Sequence, residues 1–277
     1  MRPMVSHRIR SSRTLSLPAT VAFLVLLALV VWGTAVLIGK NIEPTASVTL
    51  RVPHVGSTVY FDNKAERLTR MNNEIVTINN VAPGLHMLIV SHDGRWPWAK
   101  QIMVEDDTTL AFTPFNIDQN LSTSLIATSS VEKVTLPDGT EYESATKLFA
   151  AHNDETTIVS SDGSIELRIT DTNLVATWRS ALDNIASAFC ASGNCDQSLT
   201  VFPTDVNVTR AMFLPGSRDH VIFAARNLIS VIEIDATGTP QNIQPVYRSI
   251  KENMVDFALV DQTVYVRDGE TIIAVDL

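Results

Sequence analysis

The stretch that decides the fold is residues 208–235, which read VTRAMFLPGSRDHVIFAARNLISVIEID. It contains three apolar segments, 208–214, 220–225 and 229–235, all rich in β-branched and aromatic residues. Segments of this length and composition predict β-strands. Residues 215–219 separate the first two segments and contain Pro, Gly, Ser and Asp, which favour a turn. The stretch therefore predicts consecutive antiparallel strands joined by short turns.

The same pattern extends over residues 131–277 and predicts a sandwich, barrel or propeller. Units 219–235 and 261–276 share an order of apolar strand, short turn and second strand ending on Asp, which is typical of propeller blades. The region holds about three blade lengths of about 40–45 residues, whereas closed propellers usually have at least about four blades. We expect an open β-meander, a partial β-propeller-like domain, or a ring completed by another chain.

A smaller β region at residues 46–116 resembles a PEGA domain, a bacterial β-sandwich found outside membranes. Residues 59–63 (VYFDN) match the family's strand-into-turn pattern VYIDG, and residues 81–86 (VAPGLH) match its L-x-P-G-x-H turn. Residues 93–98 (DGRWPW) match its GY turn. Where the family has Pro-Glu-Gly-Ala, this chain has Pro53-His54-Val55-Gly56, so no role of the family's Glu carries over. The resemblance implies a small extracytoplasmic sandwich.

Residues 213–247 are similar to the C-terminal region of bacterial proteins that combine a membrane anchor, a PEGA domain and a propeller-like repeat in this order. The resemblance implies a mainly β fold and no known activity.

Residues 117–130 are rich in Ser, Thr and Asn and predict a linker with one possible strand at 124–127. The last strands, 263–267 and 271–277, would attract another chain if their edge were uncovered. The linker strand, curling of the sheet or a second copy would cover this edge. We expect the linker strand and the curling of the sheet to cover the edge together, with a homo-oligomer as the second choice.

The N-terminal part predicts a membrane anchor. No charged residue occurs between Thr14 and Gly39, and this stretch would be about 39 Å long as a helix, against a hydrocarbon core of about 30 Å. We therefore predict a cytoplasmic basic tail at 1–14 and a transmembrane helix at 15–40. The alternative is a cleavable signal peptide, with small residues at 33–35, although the apolar region of such a peptide is usually shorter.

Charge sets the orientation and limits the partners. Four arginines precede the helix and only Lys40 follows it closely, so the N-terminus is predicted to be cytoplasmic and the β regions extracytoplasmic. Residues 41–277 keep 16 of the 21 basic residues and all 30 acidic ones, a formal net charge of −14. Such a surface repels phosphate backbones and argues against nucleic-acid binding, while cationic partners or divalent ions remain an alternative.

Two pairs of residues are singled out. Cys190 and Cys195 lie close together in a region predicted to be outside the cytoplasm, which favours a disulfide. Trp96 and Trp98 flank Pro97, and the alternation of a strand would place one ring in the core. If the other ring is exposed, it offers a stacking face for a sugar or a partner, so this pair is the possible binding surface. The alternative is that both rings are packed.

The sequence favours a non-enzymatic cell-surface binding or scaffolding protein, possible partners being a cell-envelope protein or a glycan. No G-x-S-x-G, P-loop or G-x-G-x-x-G motif occurs, and no catalytic, cofactor-binding or metal-binding residue is predicted. One alternative is an extracytoplasmic hydrolase with a carboxylate site in the β-repeat domain, which a cluster of carboxylates with raised pKa values would favour. The other is an envelope sensor acting through a membrane partner.

The orientation can be tested with reporters fused after Leu277. A reporter that works only outside the cytoplasm should be active there, because the positive flank of the helix stays inside. A reporter that works only in the cytoplasm should be silent at the same position. The reverse result would contradict the predicted topology.

Overall fold

The computed structural model describes residues 46–129, 132–136, 139–151, 158–170, 173–181, 185–191, 194–203 and 206–277. Within these ranges the chain is mainly β, with several sheets, none of which closes on itself. The predicted basic tail and transmembrane helix lie outside the described residues and stay predictions. In the part of the chain that is described, no helix has the length and apolar character needed to cross a membrane.

The first region forms two sheets. Its strands are β1 (Ala46–Val52), β2 (Thr58–Phe61), β3 (Lys64–Leu68), β4 (Glu74–Val81), β5 (Gly84–Ser91), β6 (Trp98–Val104) and β7 (Thr109–Phe112). One sheet has the order β4-β1-β7, with β7 parallel to β1, and the other contains β6-β5-β2-β3. Asp62 and Asn63 join β2 to β3 with φ values of 48° and 66°, as a tight primed hairpin turn requires.

Alternating side chains build the core of this region. In β1, residues Ala46, Val48, Leu50 and Val52 are all 0% exposed, while the residues between them are half-buried or exposed. They belong to the same hydrophobic cluster as buried residues of β5 and β6. In the sequence, Val48, Leu50 and Val52 alternate with Thr49 and Arg51, and this is the alternation of a half-buried strand.

The remaining elements follow in chain order. The strands are β8 (Thr123–Ala127), β9 (Val134–Thr135), β10 (Glu141–Tyr142), β11 (Ile158–Val159), β12 (Ile165–Ile169), β13 (Asn173–Trp178), β14 (Cys190–Ala191), β15 (Asn194–Cys195), β16 (Ser198–Pro203), β17 (Val208–Phe213), β18 (His220–Ala225), β19 (Leu228–Glu233), β20 (Gly238–Thr239), β21 (Ile243–Arg248), β22 (Val255–Val260), β23 (Thr263–Asp268) and β24 (Thr271–Asp276). Helix α1 spans Ala145–Ala151, and a 3-10 turn spans Ser187–Phe189.

Three four-stranded antiparallel sheets follow one another, with the orders β11-β12-β13-β16, β17-β18-β19-β21 and β22-β23-β24-β8. They are packed face to face. One hydrophobic cluster joins the first sheet to one face of the second, and another joins the opposite face of the second sheet to the third. Strand β18 is therefore covered on both faces, which explains its nearly continuous apolar sequence.

The linker strand covers the edge of the last strand. Strand β8 pairs antiparallel with β24, with Leu125 opposite Ile273 and Ser124 opposite Ala274. This confirms the prediction that residues 124–127 form a strand on the edge of the final sheet. An open hydrogen-bonding edge of β24 is thereby removed.

One predicted strand is wrong. The sequence predicts a strand at residues 148–152, because this stretch is apolar and is followed by Asn-Asp, but residues 145–151 form helix α1. Ala145, Leu148 and Phe149 lie at helical spacing and are all at most 2% exposed. They pack against Tyr265 of the third sheet, and the burial of this face decides the conformation of a short Ala-rich segment.

The cysteines form the predicted disulfide. Cys190 and Cys195 are bonded to each other and are directly opposite in the small β14–β15 hairpin. The bond closes this hairpin beside the first of the three stacked sheets.

The segment that follows strand β19 adds a strand to the first region. After β19 the chain forms β20, which pairs with β6 and gives that sheet the order β20-β6-β5-β2-β3. At this contact Gly238 lies so close to β6 that an added Cβ would be 2.6 Å from the Gln101 carbonyl oxygen and 2.7 Å from Cγ of Lys100. The pairing depends on a residue without a side chain at position 238.

We expect Gly238→Ala to lower the free energy of unfolding by about 1–3 kcal/mol, because the methyl group would overlap backbone that cannot shift freely. Thr239→Ala, at the exposed neighbouring position, should change it by less than about 0.5 kcal/mol. Denaturant unfolding of the full-length protein in detergent, followed by tryptophan fluorescence, measures both. Equal stabilities of the two variants would show that β20 is not held closely against β6.

Candidate functional site

A buried cation lies where the first region meets the second stacked sheet. Lys100 of β6 is 0% exposed, and its Nζ is 2.6 Å from Oε1 of Glu233 and 2.6 Å from Oδ2 of Asp235. The ammonium group also lies 5.7 Å from the centre of the Trp98 ring and 5.8 Å from that of Phe112. Two carboxylates and two aromatic faces replace the water that this ammonium group loses.

Further hydrogen bonds satisfy the two carboxylates. The Trp98 indole N–H donates to Oε2 of Glu233 at 2.8 Å, and the backbone N–H of Asn242 donates to Oε1 at 2.8 Å. The hydroxyl and the backbone N–H of Thr237 both donate to Oδ1 of Asp235. Every carboxylate oxygen in this cluster accepts at least one hydrogen bond, as buried charges require.

Burial raises the pKa of the Asp235 carboxyl above its ordinary value of 3.8. The charge of Lys100 opposes this rise, and the charge of Glu233 adds to it. The folded state therefore binds the proton of Asp235 more tightly than the unfolded chain does. The stability that this group contributes is fully present below pH 3.8 and is lost as the pH rises through the raised pKa of the folded state.

A cavity of about 220 Å³ lies beside this cluster. Its lining includes both carboxylates together with Arg51, Asp219 and His220. Burial opposes ionisation of Asp219, but hydrogen bonds from His220 and Ser217 and the charge of His220 hold its pKa to about 2. The cavity thus contains carboxyl groups whose pKa values are displaced in opposite directions.

Ser217, Asp219 and His220 are neighbours but do not form a catalytic triad. The Ser217 hydroxyl and the Asp219 carboxylate are both next to the same ring nitrogen of His220, Nδ1, at 2.9 Å and 3.2 Å. In a triad the serine and the carboxylate contact opposite nitrogens. The other nitrogen, Nε2, lies 3.0 Å from the Thr113 carbonyl oxygen, which can only accept, so Nε2 carries a hydrogen. The trio closes the β17–β18 hairpin and fixes it to the segment after β7.

The two candidate tryptophans are in different environments. Trp98 is 0% exposed, so the structure removes it from the possible binding surface. Trp96 is 38% exposed and lines an open groove of about 400 Å³. The groove also contains Asn120 and Thr123 of the linker segment and Arg248 of β21. Binding by Trp96 stays a prediction.

The sequence predictions missed Lys100, Glu233 and Asp235. A signal was present, because the residues at 98, 100, 102 and 104 alternate as the inward face of β6 and one of them is a lysine. A charge at an inward position requires a buried counter-charge, and the carboxylates at the end of β19 supply it. Among the described residues, no group of three or more His, Cys, Asp or Glu side chains has an arrangement that would hold a metal ion.

No model of a known protein family matches this chain, and a search of curated proteins finds no match to it.

We expect Lys100→Met to lower the free energy of unfolding by about 3–5 kcal/mol, because it leaves two carboxylates buried without a cation. The loss should be larger at pH 8 than at pH 5, since removal of Lys100 removes the charge that opposes the high pKa of Asp235. Denaturant unfolding of the full-length protein at the two pH values measures this.

Lys64→Met is the matched control, because Lys64 pairs with Glu66 on the surface and its side chain is 79% exposed. It should cost less than about 1 kcal/mol at either pH. Combining Lys100→Met with Glu233→Gln and Asp235→Asn should restore part of the loss. A pH-independent loss in Lys100→Met would contradict the electrostatic explanation.

Proposed function

We propose that this protein is a membrane-anchored, extracytoplasmic binding or scaffolding protein without enzymatic activity. In this proposal a single transmembrane helix holds a PEGA-like sandwich and three propeller-like blades at the outer face of the cell membrane. The mainly β fold with two sheets at 46–112 and three stacked four-stranded sheets is compatible with this arrangement.

The observation that carries the proposal is a contrast between two sites. One is the cavity beside the Lys100 cluster, here called the inner cavity, and the other is the groove beside Trp96, here called the outer groove. In the inner cavity, Glu233, Asp235 and His220 are engaged by protein groups that fix them in place. In the outer groove, the described residues provide no hydrogen-bond or ion-pair partner for the side chains of Trp96 and Arg248. Free polar groups around an exposed aromatic ring are typical of a binding surface.

The hydrolase remains the second candidate, and one observation favours it. Asp219, Glu233 and Asp235 line one cavity, and the pKa values of the two aspartates are displaced in opposite directions. Pairs of this kind divide the roles of acid and base in many enzymes. However, the oxygens of Asp235 are taken by Lys100 and Thr237, so a substrate would have to displace internal bonds.

The proposed function predicts that full-length protein, purified from a detergent extract of its own envelope, retains an envelope component. Trp96→Ala should lose most of that component, while Met254→Ala, whose side chain is 68% exposed and lies outside the groove, should retain it. Quantitative mass spectrometry and glycan analysis of the eluates measure this.

The hydrolase, the second candidate function, predicts a different result. Purified envelope incubated with the protein would release soluble fragments, and Asp235→Asn would abolish the release. That outcome would replace the binding function with hydrolysis.

A further inference from the structure

We propose that the groove beside Trp96 binds a saccharide that carries a carboxylate. Trp96 is the stacking surface for a sugar ring, and Arg248 binds the acidic group. This inference rests on the proposed binding function and specifies its ligand.

The first observation is that Trp96 is held firmly while its ring stays accessible. Its backbone N–H donates to the Ile117 carbonyl at 2.9 Å, and its carbonyl accepts from Nδ2 of Asn116 at 2.8 Å. The backbone N–H of Ile117 in turn donates to Oε1 of Gln244 in β21 at 2.7 Å, which fixes the residue that pairs with Trp96. A residue whose backbone is already ordered loses less entropy when a ligand stacks on its ring.

The second observation concerns the polar groups of the groove. Asn120, Thr123 and Arg248 contribute an amide, a hydroxyl and a guanidinium group, and none of these is paired with another described residue. By contrast, the Tyr247 hydroxyl donates to Asp268 at 2.7 Å and is not free. A sugar ring presents an apolar face for an aromatic ring and hydroxyl groups at its edge for side chains of this kind.

The third observation is the charge. Asp118 also lines the groove, but its carboxylate is paired with Arg95 at 3.0 Å. The guanidinium group of Arg248 is thus the charge in the groove that has no described partner. A planar guanidinium binds a carboxylate with two parallel hydrogen bonds, which an uncharged sugar does not offer.

The size of the groove agrees with a short saccharide. Its volume of about 400 Å³ is within the range of small-ligand sites, roughly 300–1,000 Å³. One wall comes from Trp96 and the linker segment and the other from the second stacked sheet, and sites of this kind are preferentially located at such junctions. The Lys100 cluster fixes both walls relative to each other.

The test is binding of the full-length protein in detergent to an immobilised panel of oligosaccharides that includes uronic-acid oligomers and the same oligomers with methyl-esterified carboxyls. We expect binding to one or more carboxylated members. For such a member, Trp96→Ala should weaken binding about tenfold, and Trp96→Phe should retain most of it. Arg248→Gln should weaken binding of the carboxylated form about tenfold and leave the esterified form unchanged.

Met254→Ala is the matched control and should bind as the unchanged protein does. Unfolding curves of Arg248→Gln and Met254→Ala should coincide with that of the unchanged protein, since both side chains are exposed, and Trp96→Ala should remain folded under the conditions of the binding assay. Binding that is confined to neutral members of the panel would overturn the proposal, as would no binding to any carboxylated member. Equal binding by Trp96→Ala and the unchanged protein would also overturn it.

The failures of the two proposals are distinguishable. If no saccharide binds but the envelope eluate contains a protein that Trp96→Ala loses, the groove is a binding site for a protein and only the ligand class is wrong. If neither a saccharide nor an envelope component is retained, the binding function itself fails.

Discussion

The contact between Lys100 and the carboxylates of Glu233 and Asp235 is the constraint on which the rest of the structure depends. It joins β6 of the first region to the end of β19, and separation of the two would leave charges buried without partners. Around it, Trp98, Asn242 and strand β20 add hydrogen bonds between the same two regions. The result is a junction with one preferred geometry.

This junction also explains why the inner cavity and the outer groove differ chemically. Side chains at the inner cavity are ordered by the contacts that hold the regions together, so their hydrogen-bonding capacity is used within the protein. The groove lies at the periphery of the same junction, where the side chains of Asn120, Thr123 and Arg248 have no partner among the described residues. A rigid frame with free groups at its margin is suited to binding.

Much of the fold was predictable because its strands carry strong local signals. The alternation in β1, the apolar segments of β18 and β19, and the Asp62-Asn63 turn all follow from the sequence. Strand β3 was missed because its residues are all exposed and show no alternation, so only pairing with β2 defines it. Helix α1 was missed because its conformation depends on packing against a sheet far away in the sequence. An exposed ring in the Trp96–Trp98 pair was one of the predicted alternatives, whereas the buried Lys100 was not predicted.

The pairing of β8 with β24 has a consequence for the order in which the protein assembles. These strands join residues 123–127 to residues 271–276, so the third sheet cannot be completed until the later segment has been synthesised. The first region lacks strand β20 for a comparable reason, since that strand is made after β19. Contacts between segments so distant in sequence close slowly. A chain emerging from its N-terminal side would therefore pass through states with open strand edges, and such states are exposed to chaperones and proteases.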